Sequence, residues 1–380
     1  MTLSRQFTLL FSLCCAICVA VFPESLNAFP SSDNQDAPDA TIAARFAPIF
    51  YQALGDKPRS DYITNFDFDG DWRGDNNWNN SANTDLPLKA YIYYAVSETS
   101  THFFIHYAVF HPRDYKGGER RGAILSQLIR EGSKVGGKYD PTGLADEAAL
   151  AHENDMEGAL VVVKKNGSDP ANAQVVFVET LAHNKFIRYQ TGDSQSGFST
   201  VRLEGQHPIL YVEPKGHGIE AFVGDQKQVL KKEFLRYIVG DHAQDPDKQD
   251  SVCRNLDTKS CNTSVSYALV SLSTMWAKAK GDVNETYGVT FDYGKVKLAI
   301  NIGGTFVSDK PFAVGKVGCA FLGAVGGINM ARPPWGWFDR DERDQPLGSW
   351  FFDPATTVKR DFQLEATFST TYVRLPFWAK

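Results

Sequence analysis

The sequence predicts a mainly β protein, a β-sandwich with peripheral α-helices. Among its 380 residues are 26 Phe, 15 Tyr and 31 Gly, but only 4 Met. Aromatic residues favour strands, and glycines favour the turns that connect them. Short runs of aromatic and β-branched residues, separated by turn signals, occur at 88–97, 102–110, 160–164 and 175–180. This pattern favours packed strands over a helical bundle.

The first 28 residues predict a signal peptide. Arg5 precedes an apolar, uncharged run at 7–22, and Ala28 offers a small residue for cleavage before Phe29. The alternative is an N-terminal membrane anchor, but the run is shorter than the ~20 residues that a spanning helix requires. No later stretch is long and apolar enough to cross a membrane. We therefore expect a secreted or periplasmic protein whose mature form has no transmembrane segment.

After the signal peptide, the sequence predicts a flexible leader at 29–40 and one β-sandwich domain at 41–380 with helical insertions. The leader is polar and contains proline. Helical spacing of apolar residues predicts helices at 41–54 and 226–239, and shorter ones at 121–133 and 145–151. No internal repeat or linker divides the chain after residue 40.

Composition also limits the partners and the chemistry. The formal net charge of −6 argues against a general nucleic-acid-binding surface. The sequence lacks the Gly-x-Ser-x-Gly, Gly-Lys-Ser/Thr and His-Glu-x-x-His motifs, which argues against serine hydrolases, nucleotide-dependent enzymes and zincin proteases. Cys253 and Cys261 lie in a polar segment, and export predicts that they form a disulfide. Cys319 then remains as a buried free thiol.

The segment 151–157 (AHENDME) predicts a divalent-cation site where a strand begins. Asp155 and Glu157 share a face of an extended strand because side chains alternate with period two. His152 joins them if the chain turns at Glu153 and Asn154. Carboxylate-rich sets favour Ca²⁺ or Mg²⁺, with Mn²⁺ also compatible, over structural Zn²⁺. The alternative is a solvated acidic turn that enters the strand.

This segment and the earlier one at 107–114 (YAVFHPRD) together resemble the necrosis- and ethylene-inducing peptide-like proteins, which are secreted β-sandwich cytolysins. They are also similar to the related fungal vacuolar-protein-sorting group. The resemblance covers about residues 88–165. It implies a cation held by Asp114, His152, Asp155 and Glu157, and recognition of a sphingolipid headgroup.

A second acidic segment lies at 67–75 (DFDGDWRGD). Its carboxylates occupy alternate positions around a glycine, which is typical of a wrapped calcium loop. The candidate ligands are Asp67, Asp69, Asp71 and Asp75. The alternative is a polar loop whose aspartates accept hydrogen bonds from their own backbone.

Two further residues are candidates for a general base. His217 lies between two glycines, which predicts an exposed imidazole close to a ligand. Glu153 neighbours the predicted metal ligands. A structural role for His217 is the alternative. The aromatic segment 333–341 predicts either a sugar- or lipid-contacting surface or a buried corner of the sandwich, and we favour the corner.

These residues leave three functional hypotheses open. The first is a cation-dependent recognition protein that binds a glycan or lipid headgroup on a target surface. The second is a metal-dependent hydrolase of phospholipid, phosphodiester or glycan, with His217 or Glu153 activating water. The third is a cell-envelope structural protein that calcium stabilises. Whether the protein is an enzyme is therefore left undecided by the sequence.

Overall fold

The computed structural model describes residues 36–114, 151–192, 197–230, 232–249, 264–281, 285–325, 331–342 and 344–379. The helices are α1 (Asp36–Phe46), α2 (Asn77–Asn80), α3 (Gln226–Val229), α4 (Ser273–Lys280), α5 (Ser349–Phe352) and α6 (Pro354–Asp361). The strands are β1 (Ile49–Leu54), β2 (Tyr91–Thr99), β3 (His102–Asp114), β4 (His152–Lys164), β5 (Gln174–Leu181), β6 (Phe186–Gln190), β7 (Ser199–Thr200), β8 (Leu203–Glu204), β9 (His207–Val212), β10 (Ile219–Ala221), β11 (Glu233–Val239), β12 (Val265–Ser271), β13 (Tyr287–Asp292), β14 (Lys295–Ile302), β15 (Thr305–Ala313), β16 (Lys316–Phe321) and β17 (Tyr372–Arg374).

Three predictions lie outside the described residues. They are the signal peptide at 1–28, the helix at 121–133 and the pairing of Cys253 with Cys261. The helix predicted at 145–151 also lies outside, apart from its last residue. α1 begins at Asp36, so the last five residues of the predicted leader belong to a helix.

The mainly β class with peripheral helices is confirmed. One large, curled, mixed sheet has the strand order β10-β9-β1-β11-β12-β2-β3-β4-β5-β6-β7, with β8, β14, β15 and β17 attached to it. β13 and β16 form a second, small antiparallel sheet. The hairpin predicted around residues 160–180 is present as the antiparallel β4–β5 pair.

The two longest strands, β3 and β4, lie at the middle of the large sheet. All thirteen residues of β3 and all but the last of β4 are buried. Successive side chains of β3 enter opposite apolar cores, with Phe104 and Phe110 in one and Ile105 and Val109 in the other. Because both faces are covered, the polar residues at the strand ends are also withdrawn from bulk water.

Two predicted helices are wrong over most of their length. The helix predicted at 41–54 ends at Phe46, and the remainder is strand β1. The helix predicted at 226–239 is the single turn α3 followed by strand β11. β1 and β11 pair with each other and have sheet neighbours on their other edges, so both are interior strands. Strands buried on both faces lack the polar/apolar alternation that distinguishes a strand from a helix.

The aromatic segment 333–341 packs inside the protein, as we favoured. Trp335 and Trp337 are buried, and Trp337 stacks obliquely against Trp350 of α5. The indole N–H of Trp335 donates to the Gly318 carbonyl at 2.6 Å, so the buried polar atom is satisfied. Cys319 is a buried free thiol, as predicted. Among the described helices, none combines the length and apolar character needed to span a bilayer.

Candidate functional site

A small cleft of about 40 Å³ lies at the end of the β3–β4 pair. The four residues predicted to hold a cation all line it: Asp114, His152, Asp155 and Glu157. Each is buried, with at most 7% of its surface exposed. Thus the structure brings the predicted residues to one place.

Antiparallel pairing places Asp114 directly opposite His152. Oδ2 of Asp114 lies 3.3 Å from Nε2 of His152, and Nδ1 of His152 lies 2.8 Å from the Asn154 carbonyl oxygen. If Nδ1 carries the proton, it donates to this carbonyl, and this hydrogen bond fixes the ring orientation. Nε2 is then the nitrogen that faces Asp114 and the cleft.

A left-handed residue explains how His152 and Asp155 reach the same cleft from one strand. Asn154 has φ 60°, and its side chain donates to the carbonyls of Gly74 and Leu322, both at 2.8 Å. It lies opposite Pro112, which has no N–H to contribute to the ladder. Asparagine tolerates this conformation better than most residues. The turn that the sequence required at Glu153 and Asn154 is thus made by Asn154.

The carboxylate of Asp155 is hydrogen-bonded to a buried histidine, His217. Nδ1 of His217 lies 2.9 Å from Oδ2 of Asp155, and Nε2 lies 3.3 Å from Oδ1 of Asp61. Burial by itself lowers the pKa of His217, but the hydrogen bonds and negative charges of Asp155 and Asp61 outweigh it and raise that pKa to about 10. A charged imidazole therefore bridges two carboxylates.

The prediction of an exposed His217 is wrong. Its side chain is fully buried and stacks on His111 with ring centroids 3.8 Å apart. His111 is in turn bonded to Oε1 of Gln52 at 2.9 Å, and both burial and the neighbouring His217 lower its pKa. Lys215 and His217 both have positive φ, so the glycine-rich turn folds the imidazole inward. His217 is not among the residues that line the cleft.

Asp61 completes this arrangement and was not found from the sequence. It accepts backbone hydrogen bonds from Gly55 and Lys215, both at 2.7 Å, as well as facing His217. It is buried in the segment before the acidic loop. No local motif marks it, because Lys215 and His217 come from a distant part of the chain.

His183 is the second residue that sequence reasoning missed. It lines the cleft, its backbone N–H donates to Oε1 of Glu157 at 3.2 Å, and its Nε2 lies 2.8 Å from Oε2 of Glu213. His183 and Asn184 both have positive φ and form the two-residue turn between β5 and β6. Asparagine in a two-residue turn between strands is the sequence signal that indicates such a hairpin.

Glu153, the other candidate base, faces away from the cleft. Its carboxylate accepts backbone hydrogen bonds from Trp78 and Ala324, both at 2.6 Å, and from Val325 at 3.2 Å. Burial raises its pKa, and these hydrogen bonds partly oppose the rise. Glu153 therefore joins α2 and the segment after β16 to the start of β4.

The acidic segment at 67–75 forms a loop in which each carboxylate has its own partners. Asp69 accepts from the Asn80 amide at 2.6 Å, Asp71 from the Arg73 backbone at 2.8 Å, and Asp67 from the Asn65 amide at 2.7 Å. Asp75 forms an ion pair with Arg73. These contacts match the alternative of a loop stabilised by its own hydrogen bonds, and a calcium loop stays a prediction.

Within the described ranges, no group of three or more His, Cys, Asp or Glu side chains is arranged, as it stands, around a point that could hold a metal ion. In the cleft, Asp155 and Glu157 are instead turned toward His217 and the backbone of His183. The donor set is nevertheless three carboxylates and an imidazole on one cleft, which is the chemistry of a divalent-cation site.

The fold and the site define a mainly β protein with an acidic, histidine-containing cleft at the end of its two central strands. No protein-family model matches the chain, and no curated protein sequence matches it.

A comparison with solved structures returns necrosis- and ethylene-inducing proteins, the family that the sequence motifs resemble. A structure described as a toxin fold for microbial attack and plant defense is 14% identical and covers 52% of this chain and 74% of its own, with a TM-score of 0.27. NLPPya in complex with glucosamine is 15% identical, with 48% and 66% covered and a TM-score of 0.27. Necrosis and ethylene inducing protein 2, from the causal agent of cocoa's witches' broom disease, is 16% identical, with 48% and 67% covered and the same TM-score.

Proposed function

We propose that this is an exported recognition protein that binds a glycan or lipid headgroup through a divalent cation in the cleft. One observation carries the proposal: Asp114, His152, Asp155 and Glu157 line the same small cleft. Export would follow from the signal peptide expected at 1–28. Cleavage before Phe29, read by N-terminal sequencing of protein from the medium, tests that part.

The chemistry of the donors supports a hard cation. Three carboxylates with one imidazole suit Ca²⁺, Mg²⁺ or Mn²⁺, which prefer oxygen ligands. Neighbouring groups orient the side chains on the cleft: Asn154 orients His152, His217 orients Asp155 and His183 orients Glu157. Such supporting contacts are typical of metal-binding side chains. When bound, the cation supplies a positive charge that hydroxyl or phosphate oxygens of a ligand can approach.

Metal analysis of the mature protein is the direct test. After dialysis against micromolar Ca²⁺ and Mg²⁺, we expect about one bound divalent cation per chain in the wild type and a loss of at least tenfold in affinity in Asp155→Asn. Asp241→Asn removes an exposed carboxylate elsewhere and is the matched control. Equal metal content in the wild type and Asp155→Asn overturns the proposal.

Ligand binding separates recognition from a purely structural cation. With the metal bound, glucosamine and inositol phosphate are suitable probes, and chelation with EDTA should abolish their binding. If calcium raises the unfolding temperature but neither probe binds, the cation serves stability and the recognition role is excluded for these headgroups.

A metal-dependent hydrolase is the second candidate, favoured by one contact. The His183 imidazole lies on the cleft, is about a third exposed, and is paired with Glu213. An imidazole oriented by a carboxylate can accept a proton from water beside a cation. The base in this second proposal is therefore His183, instead of His217 or Glu153. Turnover of bis(4-nitrophenyl) phosphate that His183→Gln abolishes, with metal content unchanged, supports the hydrolase, and no turnover excludes it for this substrate.

A further inference from the structure

A second and much larger cavity, of about 500 Å³, lies between the β13–β14 segment and helices α5 and α6. Its volume falls within the range of small-molecule binding sites, roughly 300–1,000 Å³. None of the residues that line it lines the acidic cleft. It is therefore a separate site, with its own chemistry.

The wall of this cavity is mainly apolar and aromatic. Phe291, Tyr293 and Phe352 form a chain of edge-to-face contacts, with neighbouring ring centroids 4.9 Å apart. The Tyr293 hydroxyl donates to the Trp335 carbonyl, so its polar atom is already satisfied. Val296 and Leu347 add aliphatic surface. Such a wall binds the apolar part of a ligand by removing it from water.

The charges at the cavity are positive, although the whole chain carries −6. Lys295 and Lys297 are exposed on one face of β14, and within the described part of the chain neither forms an ion pair. Arg360 also lines the cavity but is paired with Glu342 and Asp361. Among the described residues that line the cavity, only Asp353 is acidic, and it accepts hydrogen bonds from Tyr372 and from the backbone of Thr356. The ammonium groups of Lys295 and Lys297 are therefore available to form an ion pair with a bound anion.

We propose that this cavity binds a single-chain amphiphile with a carboxylate headgroup, such as a medium-length fatty acid. The alkyl chain lies against Phe291, Tyr293 and Phe352, and the carboxylate faces Lys295 and Lys297. An apolar chain matches the aromatic wall, and the negative headgroup matches the positive charges of Lys295 and Lys297. A neutral or cationic amphiphile of the same length has no negative headgroup to pair with these lysines.

Calorimetric titration of the full chain with dodecanoate, below its micellar concentration, tests the proposal. We expect saturable binding at one site. Decanoate should bind about tenfold more tightly than octanoate, because each buried methylene tightens binding about threefold to fourfold. Dodecan-1-ol should bind at least about fivefold more weakly than dodecanoate.

Three variants locate the site. Lys295→Glu with Lys297→Glu should weaken dodecanoate at least about fivefold and leave dodecan-1-ol within twofold. Lys89→Glu, an exposed lysine that does not line the cavity, is the matched control and should change nothing. Thr356→Phe places a ring in the cavity from an exposed position on α6 and should weaken both ligands.

The lysine pair decides the outcome even if Thr356→Phe unfolds, since both lysines are on the surface. Equal affinity for dodecanoate and dodecan-1-ol, or dodecanoate binding that the lysine reversal leaves unchanged, overturns the proposal. Asp155→Asn should leave dodecanoate binding intact. The two sites can therefore succeed or fail independently.

Discussion

Protonation of one buried histidine should make the protein lose stability as the pH falls. His106 of β3 is fully buried between Trp350 and Phe351, with its Nε2 2.8 Å from the Trp350 carbonyl oxygen. Its Nδ1 has no hydrogen-bond partner in the described part of the chain. A proton added at Nδ1 would create a buried charge and an unpaired donor, so burial lowers the pKa of His106 to about 4, partly opposed by the Trp350 hydrogen bond.

The direction and the size of this change in stability follow from the lowered pKa of His106. A histidine in the unfolded chain has a pKa of about 6.5, so between pH 6.5 and 4 the unfolded state binds the proton and the folded state does not. Stability is therefore complete above about pH 7 and falls as the pH drops through this window. A difference of about 2.5 pKa units at about 1.36 kcal/mol per unit gives a loss of about 3 kcal/mol at pH 4.

His106→Gln isolates this contribution, because glutamine can still donate to the Trp350 carbonyl but does not titrate. Urea unfolding followed by tryptophan fluorescence, from pH 7.5 to pH 4, gives the free energy of unfolding of each protein. The wild type should lose about 3 kcal/mol more than the variant across this range. The carboxylates titrate in both the wild type and the variant, so their contributions cancel when the two stability losses are subtracted.

His242→Gln removes an exposed histidine and is the matched control, which should follow the wild-type curve. If the wild type and His106→Gln lose stability in parallel, within about 0.5 kcal/mol, then His106 is protonated without cost in the folded protein. That result would refute the burial argument.

Two further substitutions test the strand pair and the support of the cleft. Gly158→Ala should lower the free energy of unfolding by about 1–3 kcal/mol in urea titrations, because the added Cβ would lie 2.3 Å from the Trp337 ring and 2.6 Å from the Tyr107 carbonyl oxygen; unchanged stability would show that the sheet yields easily there. Asp61→Asn removes a charge behind His217 and should weaken metal binding about tenfold in calorimetric titrations. An unchanged metal affinity, with the fold intact, would show that Asp155 needs no such support.

The central strands and the cleft were the most predictable parts of the molecule. In β3 a long apolar run is followed by a histidine and an aspartate, and in β4 a histidine and acids precede the apolar run. The four predicted ligands lie at these strand ends. Antiparallel pairing then brings Asp114 to His152 without any information from the rest of the chain. The family resemblance that selected these four residues rests on two motifs at the ends of one strand pair, and it was therefore sufficient to place them together.

The supporting residues could not be predicted, because they come from remote segments. Asp61 and Glu213 act through His217 and His183, and nothing near them in the sequence specifies those contacts. The exposure of His217 was predicted wrongly, because the flanking glycines indicate a flexible backbone but not the direction in which the imidazole points. For β11, Phe234 and Leu235 are adjacent and both buried, so the strand shows no alternation to read.

The pairing of Asp114 with His152 is set by the β3–β4 ladder, which runs without a register shift from His102 opposite Lys164. Because side chains alternate with period two, a one-residue insertion within either strand would turn every side chain beyond it to the opposite face. Asp114 and His152 would then no longer meet. Over evolutionary time, the lengths of β3 and β4 are therefore constrained by the cleft that these strands end in.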